Sequence, residues 1–438
     1  MPKQMPLDMT ALWDQGFVAA GEASERGLLL QVNAPMSPES EKIKPLNLAL
    51  VIDASGSMTG DRLEAAKQAA IGLIDELSDG DRLSVISFSS DIQVHIDGVF
   101  MGKTDSKKLI HDIDLIQTRG STNLGSGWLR GAEAVASFID KISFSDGNIV
   151  VLSDGMANVG ILEPKVLAEH ASQLLARGIT SSCVGIGDGY SPIQLDAIAE
   201  AGGGRLHESS TPDQIVDVLL GELSALREAV ASSVEVELVF SVATKTEVLT
   251  KLPTVQKDNR IKVRIGELGS GGQRDSAFLV HVPESVTGDQ YRFEYRTHWV
   301  DPKTGEPYSS SWKTAQISVI DPLEYQKRSH ERDVKITNRI ILLWQSSLVN
   351  EAVGLNDGGY YKEAGSLIEQ NIQRMRNFVS GLANGDELLH KIILLKEKVE
   401  APWHDERSKR DSFVASKKML KSEKDYSSKS SGDWRDIK

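Results

Sequence analysis

Between residues 46 and 222, short apolar runs alternate with amphipathic stretches, and this alternation constrains the fold more than any other feature. LNLALVID (46–53) is almost continuously apolar, as expected of a strand covered on both faces. Residues 61–77 place Leu63, Ala66, Ala70, Leu73, Ile74 and Leu77 at helical spacing. The pattern predicts further strands at 81–89, 91–96, 148–154, 179–187 and 205–209. Helices are predicted at 105–116, 125–140, 163–177, 191–203 and 212–229. Alternation of this period predicts a doubly wound, Rossmann-like α/β domain, with a mostly parallel sheet and helices on both faces. Ligands of such sheets bind at the carboxyl ends of the strands, near a topological switch point.

Beyond residue 230 the period changes to two. VEVELVF, RIKVRIGEL, SAFLVHVP and YRFEYRTHWV alternate apolar and polar positions between turn signals such as KDN, GSGG and KTGEP. They predict a β-sandwich. LLLQVNAP (28–35) reads as a strand that joins it, so the α/β domain is expected to be inserted between the first and second sandwich strands. From 323 the chain turns helical in strongly amphipathic stretches. The expected organisation is an N-terminal segment (1–26), a first sandwich strand (27–35), the α/β domain (45–229) and the remaining sandwich (232–321). A helical C-terminal module (323–400) and a polar, Ser-rich mobile tail (401–438) follow.

Composition excludes several classes. The 438 residues include one cysteine, Cys183, which leaves no intramolecular disulfide framework and no zinc ribbon. The nine histidines contain no H-x-x-x-H pair. With 49 Lys+Arg against 62 Asp+Glu, the formal net charge is −13, which opposes broad phosphate-backbone binding, so no nucleic-acid partner is expected. No run reaches the roughly 18 apolar residues of a membrane span. The first thirty residues lack the pattern of a secretory signal, so a cytoplasmic location is expected.

Three loops follow buried strands or precede a helix at the expected carboxyl edge. They are Asp53-Ala54-Ser55-Gly56-Ser57, Gly120-Ser121-Thr122-Asn123-Leu124-Gly125 and Ser153-Asp154-Gly155. Together they offer the carboxylates of Asp53 and Asp154 and the hydroxyls of Ser55, Ser57 and Thr122. All are hard oxygen donors suited to Mg²⁺, with Mn²⁺ or Ca²⁺ as the other candidates, and not to zinc. Met58, Asn123 and Gly155 flank this set as candidate rim residues. For Asn123 a helix cap is the simpler reading, and for Met58 packing competes with ligand contact. Gly185-x-Gly187-x-Gly189 lacks the full dinucleotide fingerprint. Trp128 and Cys183 read as core residues.

Asp53-x-Ser55-x-Ser57, Thr122 and Asp154, set in the phrases LVIDASGSM, GSTNLGSGW and IVVLSDGMANVG, resemble the metal-ion-dependent adhesion site of the von Willebrand factor type A (VWA) family. The resemblance covers about residues 46–225. It implies that Ser55, Ser57 and Thr122 contact the metal directly and that Asp53 and Asp154 act through water. The sixth position would take an Asp or Glu from a partner protein. The order of modules is also similar to that of bacterial VWA proteins related to the inter-alpha-trypsin inhibitor heavy chains. Relatives of that kind suggest an AAA-type ATPase or a kinase and phosphatase system as partner.

The expected function is therefore magnesium-dependent binding of a protein partner, without catalysis. One alternative is a scaffold that acts mainly through its helical C-terminus. The other is a metal-dependent phosphohydrolase. That chemistry needs an acidic proton donor two residues after a nucleophilic Asp, where this chain has Ser55.

Overall fold

The computed structural model describes residues 7–402, except 37–44, 140–143, 145, 155–156, 188–191, 210–211, 228, 303 and 383–384. The expected mobile tail thus lies outside the described residues, apart from its first two positions. Three strands come first, β1 (Asp8–Trp13), β2 (Phe17–Ala19) and β3 (Ser24–Asn33). The α/β unit follows with β4 (Asn47–Asp53), α1 (Asp61–Glu76), β5 (Arg82–Phe88), β6 (Ile92–Phe100), α2 (Ser106–Asp114) and α3 (Leu124–Ala136). It continues through β7 (Gly147–Ser153), α4 (Pro164–Leu175), β8 (Ile179–Ile186), α5 (Pro192–Ala201), β9 (Gly203–Ser209) and α6 (Pro212–Arg227).

These six strands form one sheet in the order β6-β5-β4-β7-β8-β9. All pairs are parallel except β5 with β6 at one edge. The central strand β4 is buried along its whole length. Its alternating side chains feed two separate cores, as the period of two requires. Leu48, Leu50 and Ile52 pack with Leu63, Ala66 and Leu73 of α1 and Ile215 and Leu219 of α6. Ala49 and Val51 pack on the opposite face with Leu124 and Trp128 of α3 and Leu195 of α5. Trp128 is fully buried and its indole N–H donates to Ser181 Oγ at 3.0 Å. Cys183 is buried in the same layer, and burial pushes its thiol well above its ordinary value.

After α6 come β10 (Ala229–Val239), β11 (Lys245–Val248), β12 (Thr254–Lys257), β13 (Arg260–Gly269), β14 (Gln273–Val282), β15 (Gln290–Val300), β16 (Pro307–Ser309) and β17 (Lys313–Ile320). They build two sheets with the strands that precede the α/β unit. One has the order β1-β3-β14-β11. The other has the order β12-β13-β10-β15-β17-β2, with β16 on β15. Leu28, Leu30, Phe278 and Val280 from the first sheet share a core with Val236, Ile261, Phe293 and Ile317 from the second.

Residues 1–26, expected to carry no sheet strand, supply β1 and β2, one to each sheet. Three strands, not one, therefore precede the α/β unit. DMTALW and FVA are too short to show a period, and only their long-range partners, β3 and β17, make them strands.

The chain closes with α7 (Pro322–Arg328), α8 (Val334–Asp357), α9 (Tyr361–Phe378) and α10 (Gly385–Val399), which makes ten α-helices among the described residues. Asp333 caps α8 by accepting from the N–H groups of Lys335 and Ile336. Ile340 and Phe378 pack on Leu29 and Leu279, the outer face of the β1-β3-β14-β11 sheet. That sheet is covered on both sides, which is why LLL (28–30) is continuously apolar. Gly27 permits the approach, because a Cβ there would lie 2.6 Å from Ile340 Cδ1. Among the described residues, no helix is long and apolar enough to cross a membrane.

Helix α6 is fixed to the parallel sheet by a buried acid. Glu222 accepts from Ser182 Oγ at 2.5 Å and is bonded to His207 Nε2 at 2.8 Å. Burial pushes its carboxyl upward, but His207, Arg205 and Ser182 together hold it down at about 2. A depressed folded-state value contributes stability above the ordinary carboxylate range and loses it as pH falls towards about 2. Urea unfolding followed by circular dichroism is expected to show stability falling between about pH 4.5 and 2. Glu222→Gln is expected to be less stable than wild type at pH 7 and to lose less across that window.

Candidate metal centre

The chain leaves β4 through α1 to β5 on one side and reaches β7 on the other, so the switch point lies between β4 and β7. Asp53 ends β4, and Asp154 follows the last residue of β7. The two carboxylates meet there because parallel neighbours in register finish at the same edge.

A continuous hydrogen-bonded path joins four of the five expected metal residues. The Ser55 N–H donates to Asp53 Oδ1 at 2.8 Å. Ser55 Oγ lies 3.0 Å from Ser57 Oγ, and Ser57 Oγ donates to Asp154 Oδ1 at 2.8 Å. Asp53, Ser55 and Asp154 are buried, while Ser57 faces solvent. Ser153 Oγ donates to Asp53 Oδ2 at 2.6 Å. Burial raises the Asp53 carboxyl above its ordinary value. The Ser153 and Ser55 hydrogen bonds oppose that shift, and the charge of Asp154 adds to it. A cation placed between the two carboxylates relieves both burdens.

The fifth residue, Thr122, is brought in through backbone. The Gly56 N–H donates to the Gly120 carbonyl at 3.2 Å, and the Arg119 N–H donates to the Ala54 carbonyl at 2.6 Å. The Thr122 loop therefore lies directly on the Asp53 loop. Gly120 has φ +39°, and a Cβ there would stand 2.2 Å from Ser90 Oγ, so only glycine fits. Arg119 pins the loop further by donating to Asp91 Oδ1 at 3.0 Å and to Ser87 Oγ at 3.1 Å. Asn158 completes the clasp. It accepts from the Thr122 N–H at 3.0 Å and returns its own N–H to the Thr122 carbonyl at 3.0 Å.

The rim expectations fare differently. Met58 is fully buried in the core beneath α1 and does not reach the rim; the short helical turn at Gly56–Met58 turns it inward. Asn123 caps α3 by accepting from the Ser126 N–H at 3.2 Å. Gly155 lies outside the described residues. Ser153, Asn158, Arg119 and Arg62 were not singled out from sequence. Ser153 and Asn158 sit within the phrase LSDGMANVG. Nothing local in the sequence marks Arg119 or Arg62, whose roles depend on residues 28 and 92 positions away.

The donor set fits a hard divalent cation. It consists of two carboxylates and hydroxyls, with no thiolate or imidazole. A guanidinium already stands in for positive charge, with Arg62 Nη1 at 2.5 Å from Asp154 Oδ2.

Acidic and hydroxyl side chains gathered at the switch point of a Rossmann-like sheet define the class as a doubly wound α/β domain with a polar carboxyl-edge site. Residues 47–219 match the family described as von Willebrand factor type A domain, and the chain contains a VWA domain. It is similar to the protein YfbK of Escherichia coli (strain K12), 26% identical over 280 residues, 62% of this chain and 47% of YfbK. It is 32% identical over 213 residues to sll0103 of Synechocystis, covering 48% of each chain. Similarity to human inter-alpha-trypsin inhibitor heavy chain H3 is 26% over 184 residues, 40% of this chain and 21% of the relative. The chain thus spans about half the length, or less, of these curated relatives. The fold is also that of a solved von Willebrand factor type A protein from Catenulispora acidiphila, with TM-score 0.68, 17% identity and coverage of 95% of this chain and 97% of that one. VWA domains generally mediate metal-dependent protein interactions, commonly bind a divalent metal at the adhesion site, and are generally non-enzymatic.

Asn158→Ala removes the acceptor for the buried Thr122 N–H. The cost of an unpaired buried donor is about 1–3 kcal/mol. Denaturant unfolding is expected to show a loss of that size, and hydrogen exchange is expected to quicken most at the Thr122 amide.

Proposed function

We propose that this chain binds a protein partner through Mg²⁺ held by Asp53, Ser55, Ser57, Thr122 and Asp154. Ser55, Ser57 and Thr122 would contact the ion, and Asp53 and Asp154 would hold its waters. The hydrogen-bonded path from Asp53 through both serines to Asp154 supports this reading most directly. When bound, the metal supplies a Lewis-acidic position open to an oxygen from outside. Neutral hydroxyls next to the ion leave it short of negative charge, and an Asp or Glu carboxylate from the partner makes up the shortfall. Exposed Val159, whose N–H donates to the Thr122 carbonyl at 3.3 Å, offers apolar contact beside that carboxylate.

The same reading takes the VWA domain (45–229) as an insertion in a β-sandwich, with 323–400 as a helical module. The shared core of the two antiparallel sheets and the seating of α8 and α9 on one of them support it.

The test compares magnesium with chelator. Saturating Mg²⁺ is expected to raise the thermal midpoint, since ligand at 100 times Kd stabilises the folded state by about 2.7 kcal/mol. Asp53→Ala is expected to weaken metal binding by about 10–100-fold. Capture of partner from the native host extract is expected in Mg²⁺ and lost both with chelator and with Asp53→Ala. Equal capture in all three conditions would sink the proposal.

A further inference from the structure

Arg62 is not one of the expected metal residues, yet it makes the most direct ionic contact of the site. It occupies the second position of α1, after Gly60 and Asp61. A cation in the first turn of a helix faces the positive end of the helix dipole and is disfavoured there. Its placement needs a compensating anion, and Asp154 provides one. Nη1 lies 2.5 Å from Asp154 Oδ2 and 3.4 Å from the Ser57 carbonyl. The Asp154 side chain is fully buried at this contact, while Arg62 remains 44% exposed. The guanidinium also has a seat in the fold. Gly187, at the end of β8, lies beside it with φ +77°, and a Cβ there would come within 3.3 Å of Arg62 Nε. The contact therefore spans α1, β7 and β8.

Both Asp154 oxygens are engaged, Oδ1 by Ser57 and Oδ2 by Arg62. Without a metal, Arg62 is the cation that offsets two adjacent buried carboxylates. A divalent ion entering among the same residues meets this fixed positive charge, which opposes its binding. The formal charges then make a second point. Asp53, Asp154, Arg62 and a divalent ion sum to a single positive charge, whereas without Arg62 the sum is zero. The loaded site with Arg62 favours an additional anion.

We propose that Arg62 is a built-in counter-cation of the metal centre. It holds Asp154 in the metal-free protein, weakens divalent-ion binding, and keeps the loaded site positive so that an incoming carboxylate is favoured. This inference rests on the metal-site reading above and adds a positioning residue that sets its affinity. Arg62 is half-exposed on a helix surface, so its replacement leaves both cores of the α/β unit intact.

The experiment titrates the full chain with Mn²⁺, following the free ion by electron paramagnetic resonance, for wild type, Arg62→Gln, Arg62→Lys and Asp53→Ala. Thermal midpoints in chelator are recorded beside it. Arg62→Gln is expected to bind Mn²⁺ about fivefold more tightly than wild type, the scale of a partly exposed ion pair. Its midpoint in chelator is expected to fall, because Asp154 has lost its cation. Arg62→Lys keeps the charge and is expected to bind close to wild type. Mn²⁺ binding by Arg62→Gln that is equal to or weaker than wild type overturns the inference. So does a lysine variant that behaves as the glutamine variant does, since charge would then not be the cause. Absence of Mn²⁺ binding by wild type, or binding undiminished in Asp53→Ala, overturns the metal-site reading itself.

Discussion

Two carboxylates buried side by side are the constraint on which this molecule turns. Asp53 and Asp154 reach one edge of a parallel sheet because β4 and β7 are neighbours in register. Neither can be moved apart without breaking the sheet that forms the core. Their mutual repulsion and their desolvation have to be offset locally. The protein does so with donors supplied by adjacent backbone and hydroxyls, notably the Ser55 N–H and Ser153 and Ser57 Oγ, and with one guanidinium. The Ser57 hydroxyl that makes one of these bonds is also an oxygen donor of the proposed metal centre, whereas the guanidinium competes with a cation for Asp154.

The surrounding loops serve that arrangement by holding position. The Thr122 loop is tied to the Asp53 loop through backbone bonds from Gly56 and Arg119, and to the Asp154 loop through Asn158. Asp91 anchors Arg119 from the adjacent turn, and its carboxyl is held down to about 2 by Ser89 and Arg119. Backbone geometry thus fixes where three separate segments meet, and the side chains that face the site need little freedom of their own.

The parts legible in sequence are those governed by short-range rules. The buried strand LNLALVID, the periodic helix after it and the loops ending in Asp53 and Asp154 all announce themselves locally. The five proposed metal residues all come from those loops and the Thr122 loop. What escaped depends on distance along the chain. β1 and β2 are strands only because β3 and β17 accept them. Met58 reads equally as a rim or a packing residue, and the turn at Gly56–Met58 directs it into the core. Arg62 carries no local mark in the sequence, and only the fold places it beside an acid 92 positions later.

The pairing of β3 with β14 has a consequence for how the chain is made. Leu30 lies opposite Ser276, roughly 240 residues later in the sequence. At a synthesis rate of about 5–20 residues per second, β3 leaves the ribosome about 10–50 s before its partner exists. Through that interval LLLQV is an apolar strand with an unfilled edge, the kind of segment that pairs with other chains. The VWA sheet has no such delay, since all six of its strands lie between residues 47 and 209. It can close while β3 waits. The early strands are thus left waiting for partners made much later, and slowing translation across residues 230–280 would lengthen their exposure.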